Sequence, residues 1–252
     1  MKIGIIGAGN VGATLARKLI ASGHHVKLGN SRGPDTIRAL AEEIGATPVS
    51  AEDAVKDVEI IVISIPFGRI PDIKGLLAAV PRDVTAIDTS NYYPYRDGAI
   101  AEVDAGKPES IWVGEQIGRP VIKAFNAALA QTLADRGQPK GTPGRIALPV
   151  AGDDERCKRL ALELVEDAGF DAVDAGVLAD SWRQQPGTPA YCTELTVEQL
   201  RFSLSSANKA RAPENRDALL NLFLNSAAPL THEDVIAMNR KGQEATCSRS
   251  RP

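Results

Sequence analysis

Short apolar runs alternate with stretches whose apolar positions recur every three or four residues, and this alternation holds through most of the chain. Lys2-Ile-Gly-Ile-Ile6 is a run buried on both faces, as the strands of a parallel sheet are. A glycine cluster follows, then Val11, Leu15, Leu19 and Ile20 on one side of a helical period, with Gly23 as the stop. His25–Leu28 reads as the next strand. Pro34 opens a helix carrying Ile37, Leu40, Ala41 and Ile44, ended by Gly45. Ser50-Ala-Glu-Asp53 is a helix-start pattern with Asp in place of the usual Glu or Gln. Glu59–Ile65 is the clearest buried strand, Ile70, Ile73, Leu76, Leu77 and Val80 form a helix face, and Val84–Asp88 is again a strand. Strands alternating with helices in this way predict an α/β fold with a doubly wound parallel Rossmann sheet.

From Asn91 to Gly118 the pattern breaks, leaving Tyr92, Tyr93, Tyr95 and Trp112 in a long irregular stretch. Such stretches are functional or hide short elements. Val121–Phe125 resumes the strands, with a helix after Asn126. Arg145–Ala151 is a further strand, followed by a helix bearing Cys157, Leu160, Ala161 and Leu164, and Phe170–Asp174 is the last strand. Beyond about Gly176 only helices are expected. Thr196-Val-Glu-Gln199 is a capping box ahead of Leu200 and Leu204; Leu219, Leu220, Phe223 and Leu224 mark another helix, and Thr231 caps a last one through Asn239. The expected organisation is a nucleotide-binding domain over 1–178, a small mainly helical region over 179–240, and a disordered polar tail over 241–252.

The 252 residues, 43% of them hydrophobic, suffice for one large α/β domain with an appendage. A net charge of −3 gives no general attraction to nucleic acid or to an anionic membrane, so neither is expected as a partner. No apolar run reaches the length of a membrane helix, and the first strand begins directly after Met1; a cytoplasmic location is expected. Cys157, Cys192 and Cys247 show no metal-ligand or disulfide spacing, and no metal site is expected. His24, His25 and His232 read as surface residues.

Gly7-Ala8-Gly9-Asn10-Val11-Gly12 is a GxGxxG turn between a buried strand and an amphipathic helix, the context that makes this motif specific. Gly7 makes the turn, Gly9 lets the backbone approach a pyrophosphate, and Gly12 allows the helix to pack closely. The helix N-terminus offers free N–H groups and a positive dipole end. Where an NAD site carries an acid, the window Lys27-Leu-Gly-Asn30-Ser31-Arg32 has none. Ser31 and Arg32 can instead bond a ribose 2′-phosphate, so the expected cofactor is NADP(H). Ser64, Ile65, Pro66 and Phe67 at one strand end are expected to wall it. Asn91 at another could bond the ribose or the nicotinamide amide, or serve turn chemistry together with Asp88.

The segments GAGNVG (7–12), GNSRGP (29–34), VISIPF (62–67), VIKAFNA (121–127), VAGDDE (150–155) and DAGVLADSW (174–182) together resemble the NADPH-dependent coenzyme F-420 reductases. They are also similar to the NADPH-binding domain of the STEAP metalloreductases. The resemblance covers about residues 1–182. It implies hydride exchange between NADPH and a deazaflavin or flavin-like tricycle as co-substrate. It also implies a pyrophosphate loop at Gly7–Val11, a 2′-phosphate pair at Ser31 and Arg32, a cofactor-lining segment at Ile65 and Pro66, and a nicotinamide end at Ala124 and Asn126. Asn126 stands where the deazaflavin reductases would carry a histidine; KAFN is closer to the metalloreductase pattern. Residues from Trp182 onward have no counterpart in either group.

Hydride transfer between stacked rings needs alignment more than acid–base chemistry. The alternative activity, as an NADPH-dependent reductase of a small ketone, 3-hydroxy acid or imine, would need a proton donor. Lys123, Lys209, Tyr92 and Tyr191 are the candidates, Lys123 either reaching the cleft or facing solvent; Asn126 and Lys123 are the residues expected nearest the chemistry. A non-enzymatic NADP-binding regulator is the third reading. The C-terminal helices carry more apolar residues than one thin layer needs, so a homodimer through them is an expectation alongside the small-molecule acceptor.

Overall fold

The computed structural model describes residues 1–226 and 228–247. Strand β1 (Lys2–Ile6) leads into helix α1 (Asn10–Ala21), then β2 (His25–Asn30), α2 (Arg38–Ile44), β3 (Thr47–Ser50), α3 (Ala51–Ala54), β4 (Ile60–Ile63), α4 (Lys74–Ala78) and β5 (Thr85–Asp88). These strands and β6 (Ile122–Lys123) form one parallel sheet in the order β3-β2-β1-β4-β5-β6. The order reverses between β1 and β4, which opens a crevice at the carboxyl ends of the two strands. One face of the sheet carries a core of Ile3, Ile5, Leu15, Leu19, Leu28 and Ile60 among others. The other carries Ile6, Ile61, Ile63, Phe67 and Trp112. A sheet covered on both faces explains why β4 is buried at every residue.

Close approaches set the packing of the first strands. A Cβ on Gly4 would lie 1.8 Å from the Ala54 carbonyl oxygen, so α3 sits directly on β1 and only glycine fits beneath it. The Ser50 hydroxyl caps α3 through the Asp53 N–H, as the helix-start pattern predicts. Strand β3 is absent from the sequence reading. Four residues long, with Pro48 at a sheet edge, it carries too little apolar alternation to be seen.

The irregular stretch after Asn91 contains three helices: α5 (Pro94–Asp97), α6 (Ala101–Asp104) and α7 (Glu109–Ile117). Its aromatic residues serve as core. Trp112 stacks on Phe67 with centroids 4.7 Å apart, and Tyr92 lies 5.3 Å from Phe67. The helix face expected over Ile70–Val80 is split into a 3-10 segment, Phe67–Ile73, and α4, because Pro71 interrupts it.

After β6 come α8 (Ala130–Asp135), β7 (Ala147–Val150), α9 (Glu155–Asp167) and β8 (Asp171–Asp174). Strands β7 and β8 pair with each other in parallel as a separate ladder rather than extending the main sheet. An antiparallel bridge, Lys123 to Ala151, joins the two. Main-sheet pairing stops there because Phe125 turns the chain with φ of 63°.

The remainder is helical: a 3-10 segment, Leu178–Gln184, then α10 (Val197–Ser206), α11 (Ala212–Leu224) and α12 (His232–Cys247). Thr196 and Gln199 form the expected capping box, and Thr231 exchanges bonds with Asp234 at the start of α12. That helix does not stop at Asn239. It runs to Cys247, through part of the expected tail. Residues 248–252 lie outside the described residues. His24 and His232 are not surface residues: each ring is largely buried against a carboxylate, Asp167 at 2.9 Å and Glu194 at 2.7 Å. Among the described residues, no helix is long and apolar enough to cross a membrane.

Candidate active site

The glycine turn between β1 and α1 is shaped by three different constraints. Gly7 has φ of 111°, and a Cβ there would fall 2.0 Å from the Ser64 carbonyl oxygen. A Cβ on Gly12 would fall 2.0 Å from the Gly7 oxygen. These two are needed by the protein itself, one for the turn and one for helix packing. Gly9 differs: a Cβ there meets nothing within 4 Å. Its missing side chain leaves open space above the backbone at the start of α1, which is what an approaching pyrophosphate requires. The first turn of α1 contains no acidic residue, so its positive end faces that space uncontested. Ala8 and Val11 are half-buried beside it, and Asn10 is exposed.

At the end of β2 the Asn30 side chain organises the loop. Its oxygen accepts from the Arg32 N–H at 3.0 Å and its amide donates to the Thr36 hydroxyl at 2.9 Å. Ser31 and Arg32 are exposed, and the Arg32 guanidinium has no ion-pair partner among the described residues. Nearby Arg38, by contrast, is paired with Asp35. The loop therefore presents an unused guanidinium and hydroxyl, with no carboxylate at the β2 end. These residues fit NADP: an open glycine, a free helix terminus and an uncommitted cation lie along one edge.

Ser64 and Ile65 are half-buried and Pro66 is exposed at the end of β4, opposite the glycine turn. Phe67 does not wall the cleft. Its ring is wholly buried against Trp112 and Tyr92, because the 3-10 segment that it opens turns the side chain into the core.

At the ends of β5 and β6, Asn91 and Asn126 bond reciprocally. The Asn91 amide donates to the Asn126 carbonyl, and the Asn126 amide donates to the Asn91 side-chain oxygen, both at 3.0 Å. Asn126 also donates to the Gln184 carbonyl at 2.8 Å and accepts from the Gln184 amide at 2.9 Å. Both Asn126 donor hydrogens are therefore used, and its role is to tie three segments together. Ala124 is fully buried just before it.

Lys123 departs from both expectations, cleft and solvent. Its ammonium is fully buried, 3.1 Å from Asp88 and 3.7 Å from Glu109, and it bonds the Ser90 carbonyl. Asp88 also accepts from the Ser90 N–H and from the Ser110 hydroxyl. A lysine on a strand covered on both faces must find a buried acid, and here two face it. Burial pushes the Glu109 carboxyl up to about 7 despite the opposing pull of Lys123. This cluster joins β5, β6 and α7 and does not open to the cleft.

Beside the Asn91–Asn126 tie lies a cavity of 270 Å³ that sequence reasoning did not assemble. Tyr93 and Tyr191 contribute hydroxyls 3.0 Å apart. Burial, with the adjacent Cys192 thiol second, holds the Tyr191 hydroxyl well above its ordinary value, and burial does the same for Tyr93. Both stay protonated at neutral pH. Arg96 lines the same cavity and donates to the Asn91 carbonyl at 2.7 Å, which connects the cavity to the tie. Of these residues, only Tyr191 stands out in the sequence as a proton donor. The others come from loops and helices whose proximity no local pattern encodes.

A strand-order reversal, a glycine cradle open at Gly9 and an uncommitted arginine at the second strand define a dinucleotide-binding oxidoreductase. Comparison with known proteins agrees. The family described as NADP oxidoreductase, coenzyme F420-dependent, matches residues 2–92. The Escherichia coli (strain K12) protein YjhV is 38% identical over 102 residues, which are 40% of this chain and 74% of that protein. Among solved structures, the Sinorhizobium meliloti protein SMa0349 aligns with a TM-score of 0.68 and 28% identity, over 77% of this chain and 95% of that one. A protein of Arthrobacter sp. fb24 named for F420-dependent NADP-reductase activity shares the fold, with a TM-score of 0.58 and 22% identity over 72% of this chain and 87% of that one. The chain belongs to the NADP-dependent oxidoreductase family that bears the coenzyme F420 description.

Proposed function

We propose that this protein reduces a small organic acceptor held in the cavity beside the Asn91–Asn126 tie, using NADPH, and that the acceptor is a deazaflavin or flavin-like ring. The observation that carries the reading is this apolar cavity, joined through Arg96 to the end of the sheet where the nicotinamide of a dinucleotide lies in this fold class. NADPH, when bound, supplies the hydride. The chain's own residues do the rest. The turn at Gly7–Gly12 holds the pyrophosphate, and Ser31 and Arg32 hold the 2′-phosphate. Ser64, Ile65 and Pro66 line the cofactor, and the Asn91–Asn126 pair keeps the nicotinamide end rigid, so that donor and acceptor carbons can meet at about 3–3.5 Å.

A second reading, reduction of a small ketone or imine, is favoured by one specific feature. Tyr93 and Tyr191 are lining residues of the cavity and their hydroxyls remain protonated, so this pair is a source of a proton for a developing oxyanion or amine. Lys123, sealed away with Asp88, supplies no proton in either case.

NADPH oxidation against a panel of deazaflavin, flavin, ketone and imine acceptors tests the proposal. Turnover with the tricyclic acceptors, unchanged within about threefold in Tyr191→Phe, supports the first reading. Turnover confined to carbonyls or imines and cut about 100-fold by the same change supports the second. Absence of NADPH oxidation with every acceptor would overturn both.

A further inference from the structure

Arg216 on α11 carries terminal N–H donors that no partner among the described residues satisfies. Its side chain is nine-tenths buried, at 10% exposure, and lies over the ring of Tyr92 with its Cζ 5.4 Å from the centroid. Only its Nε is committed, donating to Asp217 at 2.7 Å, and Asp217 is itself more than half exposed. The two terminal nitrogens, four N–H donors, have no hydrogen-bond or ion-pair partner among the described residues, and they belong to a side chain that lines the 270 Å³ cavity. Buried N–H donors left without partners are costly unless something bonds them.

The position of Arg216 is fixed rather than incidental. It lies one turn into α11, whose start rests on Gly187: a Cβ there would fall 2.0 Å from the Ala212 carbonyl oxygen. Asn215 fastens the same turn by donating to the Gly187 carbonyl at 3.1 Å. The other cation of the cavity, Arg96, grips Asp97 through both Nε and Nη2 and also bonds the Asn91 carbonyl, whereas Arg216 meets Asp217 through Nε alone. Leu129, Leu219, Leu220 and Phe223 give the wall an apolar stretch, beside Tyr93, Tyr191 and Asn239. A guanidinium with both Nη groups free beside that apolar stretch suits a molecule with an apolar body and one acidic group.

We infer that the hydride acceptor carries a carboxylate or phosphate which Arg216 binds, while its apolar body lies against Leu129, Leu219 and Phe223. This rests on the cavity being the acceptor site of the proposed reductase, and it assigns to Arg216 the choice between anionic and neutral acceptors. A planar guanidinium with both Nη groups free matches either anion in a two-point contact.

Calorimetric titration of the NADPH-saturated protein with benzoate, phenyl phosphate and the neutral benzamide tests the inference; saturation keeps the probes away from Arg32. At least one of the two anions should bind tenfold or more tightly than benzamide, and which of them does so separates a carboxylate site from a phosphate site. Arg216→Gln should abolish that preference while leaving NADPH affinity unchanged. Equal binding of all three probes, or a preference that survives in R216Q, would overturn the inference. Should R216Q not fold, the ratio measured on the unaltered protein decides. The titration involves no turnover, so an anion preference in a protein that oxidises no NADPH would sink the reductase reading alone.

Discussion

The nucleotide edge of this protein and the cavity proposed to take the acceptor are built on opposite principles. The nucleotide edge is local. Residues 7–12 and 30–32 form two short turns, each next to its own strand, and their chemistry is mostly backbone N–H groups and missing side chains. The cavity is assembled from Tyr93 and Arg96 after β5, Leu129 after β6, Tyr191 in a late loop and Arg216 on α11, and its chemistry is entirely side-chain. Between them stand the Asn91–Asn126–Gln184 tie and the Asp88–Lys123 pair, which hold the ends of β5 and β6. A cofactor common to a whole family can be gripped by a turn, whereas an acceptor peculiar to one member needs a pocket whose walls vary independently.

The contrast is broken most severely by removing the joint between the two regions. Lys123→Met leaves Asp88 buried without its cation and should cost about 3–5 kcal/mol of stability, seen as a lowered denaturation midpoint. A midpoint close to that of the unaltered protein would show that the buried pair does not hold the strand ends together.

The two glycines of the nucleotide turn sharpen the local side of the comparison. Gly12→Ala forces a Cβ against the Gly7 carbonyl and should destabilise the fold by about 1–3 kcal/mol. Gly9→Ala has room in the free protein, so its denaturation midpoint should not move while NADPH binding weakens at least tenfold, about 1.4 kcal/mol. Normal NADPH affinity in Gly9→Ala would mean that the pyrophosphate does not cross that space.

Arg32→Ala should raise the KM for NADPH about tenfold with little change for NADH. Equal effects on the two would remove Arg32 from 2′-phosphate recognition.

A pH slope is expected from Glu109 at the joint. Its carboxyl titrates near 7 when folded, against an ordinary 4.5. Between those values the folded chain keeps a proton that the unfolded chain has released. The contribution is therefore full below the lower value and is lost as pH rises through the upper one. Denaturation midpoints measured from pH 4.5 to 7.5 should show this decline, and Glu109→Gln should flatten it; an unchanged slope in the variant would place its origin elsewhere.

Much of the fold was legible in advance because its signals are periodic. Buried strands such as Ile60–Ile63 and amphipathic helices such as α1 and α9 announce themselves by spacing. Strand β3 was not, since four edge residues including a proline carry no period. Neither was the inward turn of Phe67: an aromatic residue at a strand end can face either the cleft or the core, and only the presence of Trp112 and Tyr92 decides. Lys123 is the same case with a charge, since its place in a strand does not reveal that Asp88 and Glu109 wait on the side it faces.

What the sequence determined by itself was the Rossmann architecture and the character of the nucleotide edge, because those depend on contacts between neighbours in the chain: a glycine and the helix after it, a serine and an arginine where an acid would otherwise stand. The tertiary structure alone decided which polar side chains are structural and which are left over. Both Asn126 donor hydrogens are taken, and the Lys123 ammonium is held by Asp88 and the Ser90 carbonyl, all groups brought from far along the chain, whereas Arg216 arrives in a cavity with both Nη groups unbonded. Which hydrogen-bond donors and acceptors are matched and which are left over is settled only once the distant elements have met.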